Sequence, residues 1–270
     1  MMTEQSKEDA KVEELWHTYL TTGEFEKERR QRQFFRMLPG TPRCKNCYAP
    51  FHGAGSVVVR FFFDKHPSNL NPQLCNVCEI FARQHQGGAE IELTMLFADV
   101  RGSTTLAEGM TPTEYSKLIN RFYSTATRVL VTTDALIDKI IGDQVAGMYV
   151  PGFAGQEHAL RAIEAAHEIL RVTGHSSIEE PWIPLGVGVH TGRAFVGALG
   201  SEDGTIDITV LGDAANTAAR LSTNAGIGEI LVSEPAVKAA GLETNDLVQR
   251  EIELKGKSAP LTTWVIGNLN

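Results

Sequence analysis

No apolar run in this 270-residue chain approaches the roughly 18 residues that a membrane-crossing helix needs, and the opening MMTEQSKEDAKVEE lacks the apolar core of a secretion signal. The expectation is a cytoplasmic protein with no membrane partner. An excess of positive charge is lacking too. The 25 lysines and arginines face 33 aspartates and glutamates, a formal charge of −8, which excludes a surface built throughout for nucleic acid or anionic lipid. Internal repeats are absent, which excludes solenoids and propellers. Cysteine is scarce, with four residues that all fall in CxxC pairs, Cys44 with Cys47 and Cys75 with Cys78. In a reducing compartment that pattern points to a metal or cluster site and away from structural disulfides.

What is present is an ordinary globular composition, 42% hydrophobic and 21% charged, able to bury a core. The length suits a domain of ordinary size with an appended module. Residues 7 to 20 and 24 to 38 read as charge-rich helices, stopped by Gly23 and by Pro39-Gly40. In EFEKERRQRQFFRM, the cations Lys27, Arg29, Arg30, Arg32 and Arg36 alternate with carboxylates, so a solvated helix face is expected and a nucleic-acid surface is not. The texture then turns to short segments around the cysteines, with Val57 to Phe63 expected as a strand. QHQGG at 84–88 marks a boundary. The expected organisation is a helical segment at 1–42, a four-cysteine module at 43–88 and a catalytic domain at 89–270.

Beyond residue 88 strands and amphipathic helices alternate. Ile91 to Val100 is expected as a strand, followed by a helix to about Thr133 that TPTE opens with Thr111 as cap, Pro112 in the first turn and Glu114 closing a capping box. Strands Leu136 to Ile141 and Val145 to Val150 flank a turn at Gly142-Asp143, and a helix spans Gln156 to Val172. Further strands are expected at Leu185 to Thr191, Ala194 to Leu199, Ile206 to Leu211 and Glu229 to Val232, with a helix opening at Asp213. The order predicts an α/β sandwich, with helices on one face of a mixed sheet.

Two aspartates stand out by position, Asp99 at the end of a strand in LFADVRGST and Asp143 in the turn of KIIGDQV. Carboxylates so placed suit magnesium, which binds through one or two carboxylates plus substrate phosphates. Gly102, Ser103 and Thr104 follow as a strand-to-helix turn whose amides can meet phosphate oxygens. In GDAANTAARL, Asn216 and Arg220 are spaced to share a helix face, and a guanidinium fork suits phosphoryl oxygens. Taken singly, each feature is more often a cap or a solvated group.

In their order, LFADVRGST, KIIGDQVAGMY, LGVGVHTGRAFVGALG, ITVLGDAANTAARL and ELKGK resemble the class III nucleotidyl cyclases, the adenylate and guanylate cyclase catalytic domain, over about residues 90 to 270. The resemblance implies that Asp99, Asp143 and the carbonyl of Val100 hold two Mg2+ or Mn2+ ions, that Asn216 orients the ribose and that Arg220 neutralises the α-phosphoryl group. It places the base-reading side chains at Lys139 and Thr209. Lysine donates, which suits adenine N1, and the threonine hydroxyl accepts from N6, so ATP is the expected substrate; GTP or a pyrimidine nucleotide is the alternative, with Asp207 on the same strand face as Thr209. Lys255 matches the triphosphate-binding lysine, with Lys257 as substitute. A homodimer with shared sites is also implied, as is a ferredoxin-like sheet.

The spacing C-x2-C-x27-C-x2-C forms two knuckles suited to tetrahedral zinc, with an iron–sulfur or mononuclear iron site as the alternative and a redox dithiol after these, and His52 and His66 are read as bystanders. A regulatory role for this module is expected. The competing readings are a catalytically silent nucleotide-binding dimer, which the complete set of polar residues argues against, and a DNA-binding finger, which the overall charge disfavours.

Overall fold

A computed structural model describes residues 4–176, 180–201, 204–253 and 259–267. In chain order its elements are α1 (Glu4–Thr21), α2 (Glu26–Met37), α3 (Ala54–Phe63), α4 (Asn76–Gln84), β1 (Gly87–Val100), α5 (Ser103–Glu108), α6 (Pro112–Thr132), β2 (Leu136–Ile141), β3 (Gln144–Tyr149) and α7 (Pro151–Ala154). There follow α8 (His158–Val172), β4 (Leu185–Gly200), β5 (Ile206–Leu211), α9 (Asp213–Asn224), β6 (Ile230–Ser233), α10 (Glu234–Ala240), β7 (Val248–Ile252) and β8 (Leu261–Ile266). Two compact units result, one of Met1–Ile91, Pro151–Gly155 and Ala194–Leu211, the other of Glu92–Val150, Gln156–Arg193 and Gly212–Asn270. No helix among the described residues is long and apolar enough to cross a membrane.

In the first unit α1 and α2 pack around the cysteine loops. Trp16, Leu20 and Phe35 are fully buried, and the Trp16 indole donates to the His85 carbonyl at 2.8 Å. Tyr19 lies edge-on to Phe25, Trp16 and Phe153, an arrangement aromatic quadrupoles favour. The solvated helix face expected of α2 needs one correction. Arg32 is buried, its guanidinium 3.9 Å from the Tyr48 ring centroid and 4.5 Å from that of Phe153, and it donates to the Asn46 carbonyl at 2.7 Å.

The strand expected at Val57 to Phe63 is a helix, α3. An apolar run of that length does not distinguish strand from helix by its periodicity, and its flanks decide. Gly53 enters α3 at φ +77° and Asp64 leaves it in the left-handed conformation at φ +50°. Only Gly55 and Val59 of α3 are buried, while Phe61 and Phe62 are 81% and 72% exposed.

The second unit holds most of a mixed sheet in the order β2-β3-β1-β4-β6-β8-β7. Its β4–β6 pair is parallel, whereas β1–β3, β2–β3, β6–β8 and β7–β8 are antiparallel. The mixed α/β fold expected from the alternation of elements is the one found. Thr111 and Glu114 form the expected capping box at the start of α6. A break expected between Thr191 and Ala194 is absent, since Leu185–Gly200 runs as one strand. The strand changes partners there instead: Val187 to Val189 pair with Ile230 to Val232 of β6, and Phe195 to Gly200 pair with β5.

Candidate active site and four-cysteine centre

The β1–β3 pairing brings the two aspartates of the second unit to one place. Asp99, next to last in β1, pairs with Gln144, and Val100, which ends the strand, donates its amide to the carbonyl of Asp143 at 3.1 Å. Asp143 is held there by a two-residue hairpin between Ile141 and Gln144, where Gly142 takes a positive φ of 64° that glycine tolerates without strain. Tyr123 of α6 donates its hydroxyl to the Gly142 carbonyl and braces the turn.

Asp99 is only 5% exposed, and a carboxylate so deeply placed needs a cation. Arg101 supplies one: its guanidinium ion-pairs with Asp99 and donates to the Thr223 carbonyl of α9 at 2.5 Å. Burial lowers the Arg101 pKa, and the negative charge of Asp143 works in the opposite direction. The same charge adds to burial in raising the phenols of Tyr115 and Tyr123. Two neighbouring carboxylates, one already satisfied by an internal cation, form a donor set that fits hard divalent ions. Arg101 is absent from the sequence-based site. Its signal was its place two residues beyond Asp99, in the turn that follows β1.

Gly102 caps α5 at φ 65° with no side-chain cap bond. Ser103 and Thr104 open this helix of six residues, too short for a large dipole, so any hold on phosphate there comes from individual amides. On α9, the buried face is Ala214, Thr217, Ala218, Leu221 and Ser222, which turns Asn216 and Arg220 together to the other side. The helix is anchored by a cluster of Leu221, Ala225, Leu231 and Ile252. It also lies close against the sheet. A Cβ on Gly188 of β4 would meet the Ser222 nitrogen at 2.3 Å and the Ala218 oxygen at 2.4 Å, so the missing side chain sets the depth of α9.

Lys139 is exposed on β2 opposite Ala146, in the second unit. Thr209 belongs to the first unit, half-buried on β5 opposite Gly197. Lys255 and Lys257 lie outside the described residues.

In the first unit the sulfurs of Cys44, Cys47, Cys75 and Cys78 all lie within 4.8 Å of one another, and they can hold a metal ion. Cys47 and Cys75 are 3.7 Å apart, against about 3.8 Å between sulfurs set tetrahedrally at 2.3 Å from one zinc ion. The Cys75 and Cys78 amides donate to the sulfurs of Cys44 and Cys75 at 3.3 and 3.5 Å, and the Asn46 side chain donates to Cys78 at 3.5 Å. Sequence reasoning overlooked Lys65, a buried lysine whose ammonium stands 3.8 and 3.9 Å from the sulfurs of Cys47 and Cys75. Burial alone would lower its pKa, but the negative charge of the cysteine sulfurs as thiolates outweighs that and raises it. His66 turns its Nδ1 to the Pro67 carbonyl at 3.0 Å, and neither it nor His52 joins the cysteine group.

Comparison with known proteins matches residues 88–268 to the adenylate and guanylate cyclase catalytic domain. The chain is 27% identical over 220 residues to an adenylate cyclase of Anabaena cylindrica, across 77% of this chain and 42% of that protein. It is 32% identical over 189 residues to the soluble guanylate cyclase subunit beta-2 of Rattus norvegicus, across 66% of this chain and 26% of that protein. It thus spans less than half the length of these relatives. Among solved structures, the guanylyl cyclase Cya2 superposes with a TM-score of 0.59 at 28% identity, over 68% of this chain and 95% of that one. The adenylyl cyclase CyaB from P. aeruginosa gives 0.56 at 25% identity, over 67% of this chain and 98% of that one. Enzymes of both base specificities appear side by side.

Proposed function

The chain belongs to the family of adenylate and guanylate cyclase catalytic domains, and we propose that it converts ATP to 3′,5′-cyclic AMP and pyrophosphate as a cytoplasmic homodimer. The observation that carries this reading is the meeting of Asp99 and Asp143 at adjoining strand ends beside the Val100 amide. Asp99, Asp143 and the Val100 carbonyl would hold two Mg2+ or Mn2+ ions, which when bound acidify the ribose 3′-hydroxyl and neutralise the triphosphate. Asn216 orients the ribose for in-line attack at the α-phosphorus. Arg220 donates to the α-phosphoryl oxygens, where charge accumulates as the bond to pyrophosphate lengthens. The amides of Gly102, Ser103 and Thr104, with Lys255, hold the remaining phosphates.

ATP is favoured over GTP by the donor at Lys139 and the acceptor at Thr209. A further observation supports it. Asp207, the neighbouring group able to accept from guanine, has its carboxylate engaged by Lys45 at 2.5 Å. The four cysteines are assigned to a single metal ion, because the thiolates of a four-iron cluster bind different irons and stand farther apart; that ion is read as zinc, with mononuclear iron as the alternative. The segments 1–42, 43–88 and 89–270 are read as helical segment, zinc module and cyclase domain, with the module regulating the enzyme.

Incubation of the purified protein with each of the four ribonucleoside triphosphates and Mn2+, with products identified by mass, tests the reading. Cyclic AMP should predominate; predominant cyclic GMP or a cyclic pyrimidine nucleotide overturns the base assignment. Metal analysis should find one zinc per chain, and a brown chromophore with iron would refute that assignment.

A further inference from the structure

The loops that carry the cysteines hold β5 by tethers that nothing in the cyclase chemistry requires. Lys45 directly follows Cys44, is itself buried, and places its ammonium 2.5 Å from Asp207. Its backbone amide donates to the Gln73 carbonyl at 3.0 Å, which ties the first cysteine knuckle to the approach of the second. Asn71, in that approach, is buried and donates its side-chain amide to the Ile206 carbonyl at 2.9 Å and to the Asp207 carboxylate at 3.4 Å. Arg83 lies on α4, the helix that also carries Cys78, and donates to the Gly204 carbonyl at 3.0 Å just before β5. Each tether starts on a segment bearing a thiol ligand, and all end within Gly204 to Asp207.

Asp207 and Thr209 are two apart on one strand and share a face, so a shift of Asp207 carries Thr209 with it. Coupling through such a contact is strongest when the link is short and charge-assisted, as the Lys45 bond is, with the Lys45 side chain itself buried. Metal binding by four thiols organises the loops around it and contributes directly to their folding.

We propose that Lys45, Asn71 and Arg83 are positioning residues that tether β5 to the four-cysteine centre, so that binding of a metal ion by the cysteines sets where Thr209 stands and how tightly the base is held. This rests on the reading of Thr209 as a base contact given above. The regulated quantity is the affinity for nucleotide, with the cysteine centre as the sensor and β5 as the moving part. Removal of the ion would loosen the loops, free Asp207 from a fixed partner and blur the hydrogen bond that Thr209 offers.

The test uses the full chain, with kcat and KM for ATP measured in excess Mg2+ for wild type, Lys45→Met, Asp207→Asn and Thr209→Ala, each before and after the zinc is stripped with a chelator. Lys45→Met should raise KM by up to about tenfold, the value of one hydrogen bond, with a smaller change in kcat and zinc content unchanged. Stripping zinc should raise the wild-type KM by a similar factor and add little to Lys45→Met, because both perturb one link. If Lys45→Met fails to fold, as judged by circular dichroism, Asp207→Asn breaks the same ion pair while preserving its shape and carries the same expectation. Full additivity of zinc removal and Lys45→Met, or an unchanged KM in both variants beside a raised KM in Thr209→Ala, overturns the inference alone. An unchanged KM in Thr209→Ala overturns the base-contact reading, and the inference falls with it.

Discussion

Placing α9 at the right depth should matter as much as the side chains it carries, and Gly188→Ala tests this. The added methyl would stand 2.3 Å from the Ser222 nitrogen, 2.4 Å from the Ala218 oxygen and 2.8 Å from the Leu221 Cβ. Ordinary contact begins near 3.4 Å, so α9 must retreat from β4 by about 1 Å. Two of the three obstacles are backbone atoms, which no change of rotamer can move aside. Overpacking of this kind costs about 1–3 kcal/mol, a fall of several degrees in Tm. A displacement of about 1 Å in Asn216 and Arg220 should cost about 100-fold in kcat, since in-line attack tolerates little misplacement. Gly267→Ala is the control, because a Cβ there meets nothing within 4 Å and should change neither quantity. Steady-state cyclisation assays and thermal unfolding read both effects. A Gly188→Ala variant whose Tm falls as expected but whose kcat stays within threefold of wild type would refute the claim that the depth of α9 sets the rate.

Asp143→Ala should abolish turnover while leaving the elution position on gel filtration unchanged; near-normal activity would remove the aspartate from the proposed metal site. Arg101→Met leaves the buried Asp99 carboxylate without its internal cation, so unfolding without divalent ions should occur several degrees lower while the rise in Tm on adding Mn2+ grows. An unaltered response to Mn2+ would show that the guanidinium does not compete for that place. Burial lowers the imidazole pKa values of His158, His167 and His175, so the folded chain keeps them neutral where the unfolded chain takes up protons. Stability is then fully present above the ordinary value of 6.5 and declines as pH falls below it, and Tm measured from pH 7.5 to 5.5 should drop. A Tm that holds level or rises across that interval contradicts the assignment.

Much of this protein is readable without coordinates, for reasons that differ from element to element. The start of α6 is legible because Thr111, Pro112 and Glu114 act within one turn, and the β2–β3 hairpin because Gly142 must supply the positive φ of a two-residue loop. Asn216 and Arg220 share a face because helical periodicity alone dictates it. The apolar run of α3 defeats the same reasoning: Val57 to Phe63 satisfies strand and helix patterns alike, and Gly53 and Asp64 at its ends tip the balance. The continuity of β4 was hidden because its change of partner near Gly192 involves residues far apart in sequence.

By itself, then, the order of residues determined what depends on near neighbours: the capped helices, the hairpin that presents Asp143, the paired CxxC knuckles and the ordered motifs of a nucleotidyl cyclase. Only the tertiary structure decided that Arg101 neutralises Asp99, that Lys65 sits among the thiols and that Lys45 reaches Asp207. Each of those contacts holds a buried charge, on Asp99, Lys65 or Lys45, and burial is a property of the folded chain as a whole. A charged side chain looks the same in a sequence whether water or a second charge will surround it, and the difference arises only once distant segments have excluded the water between them.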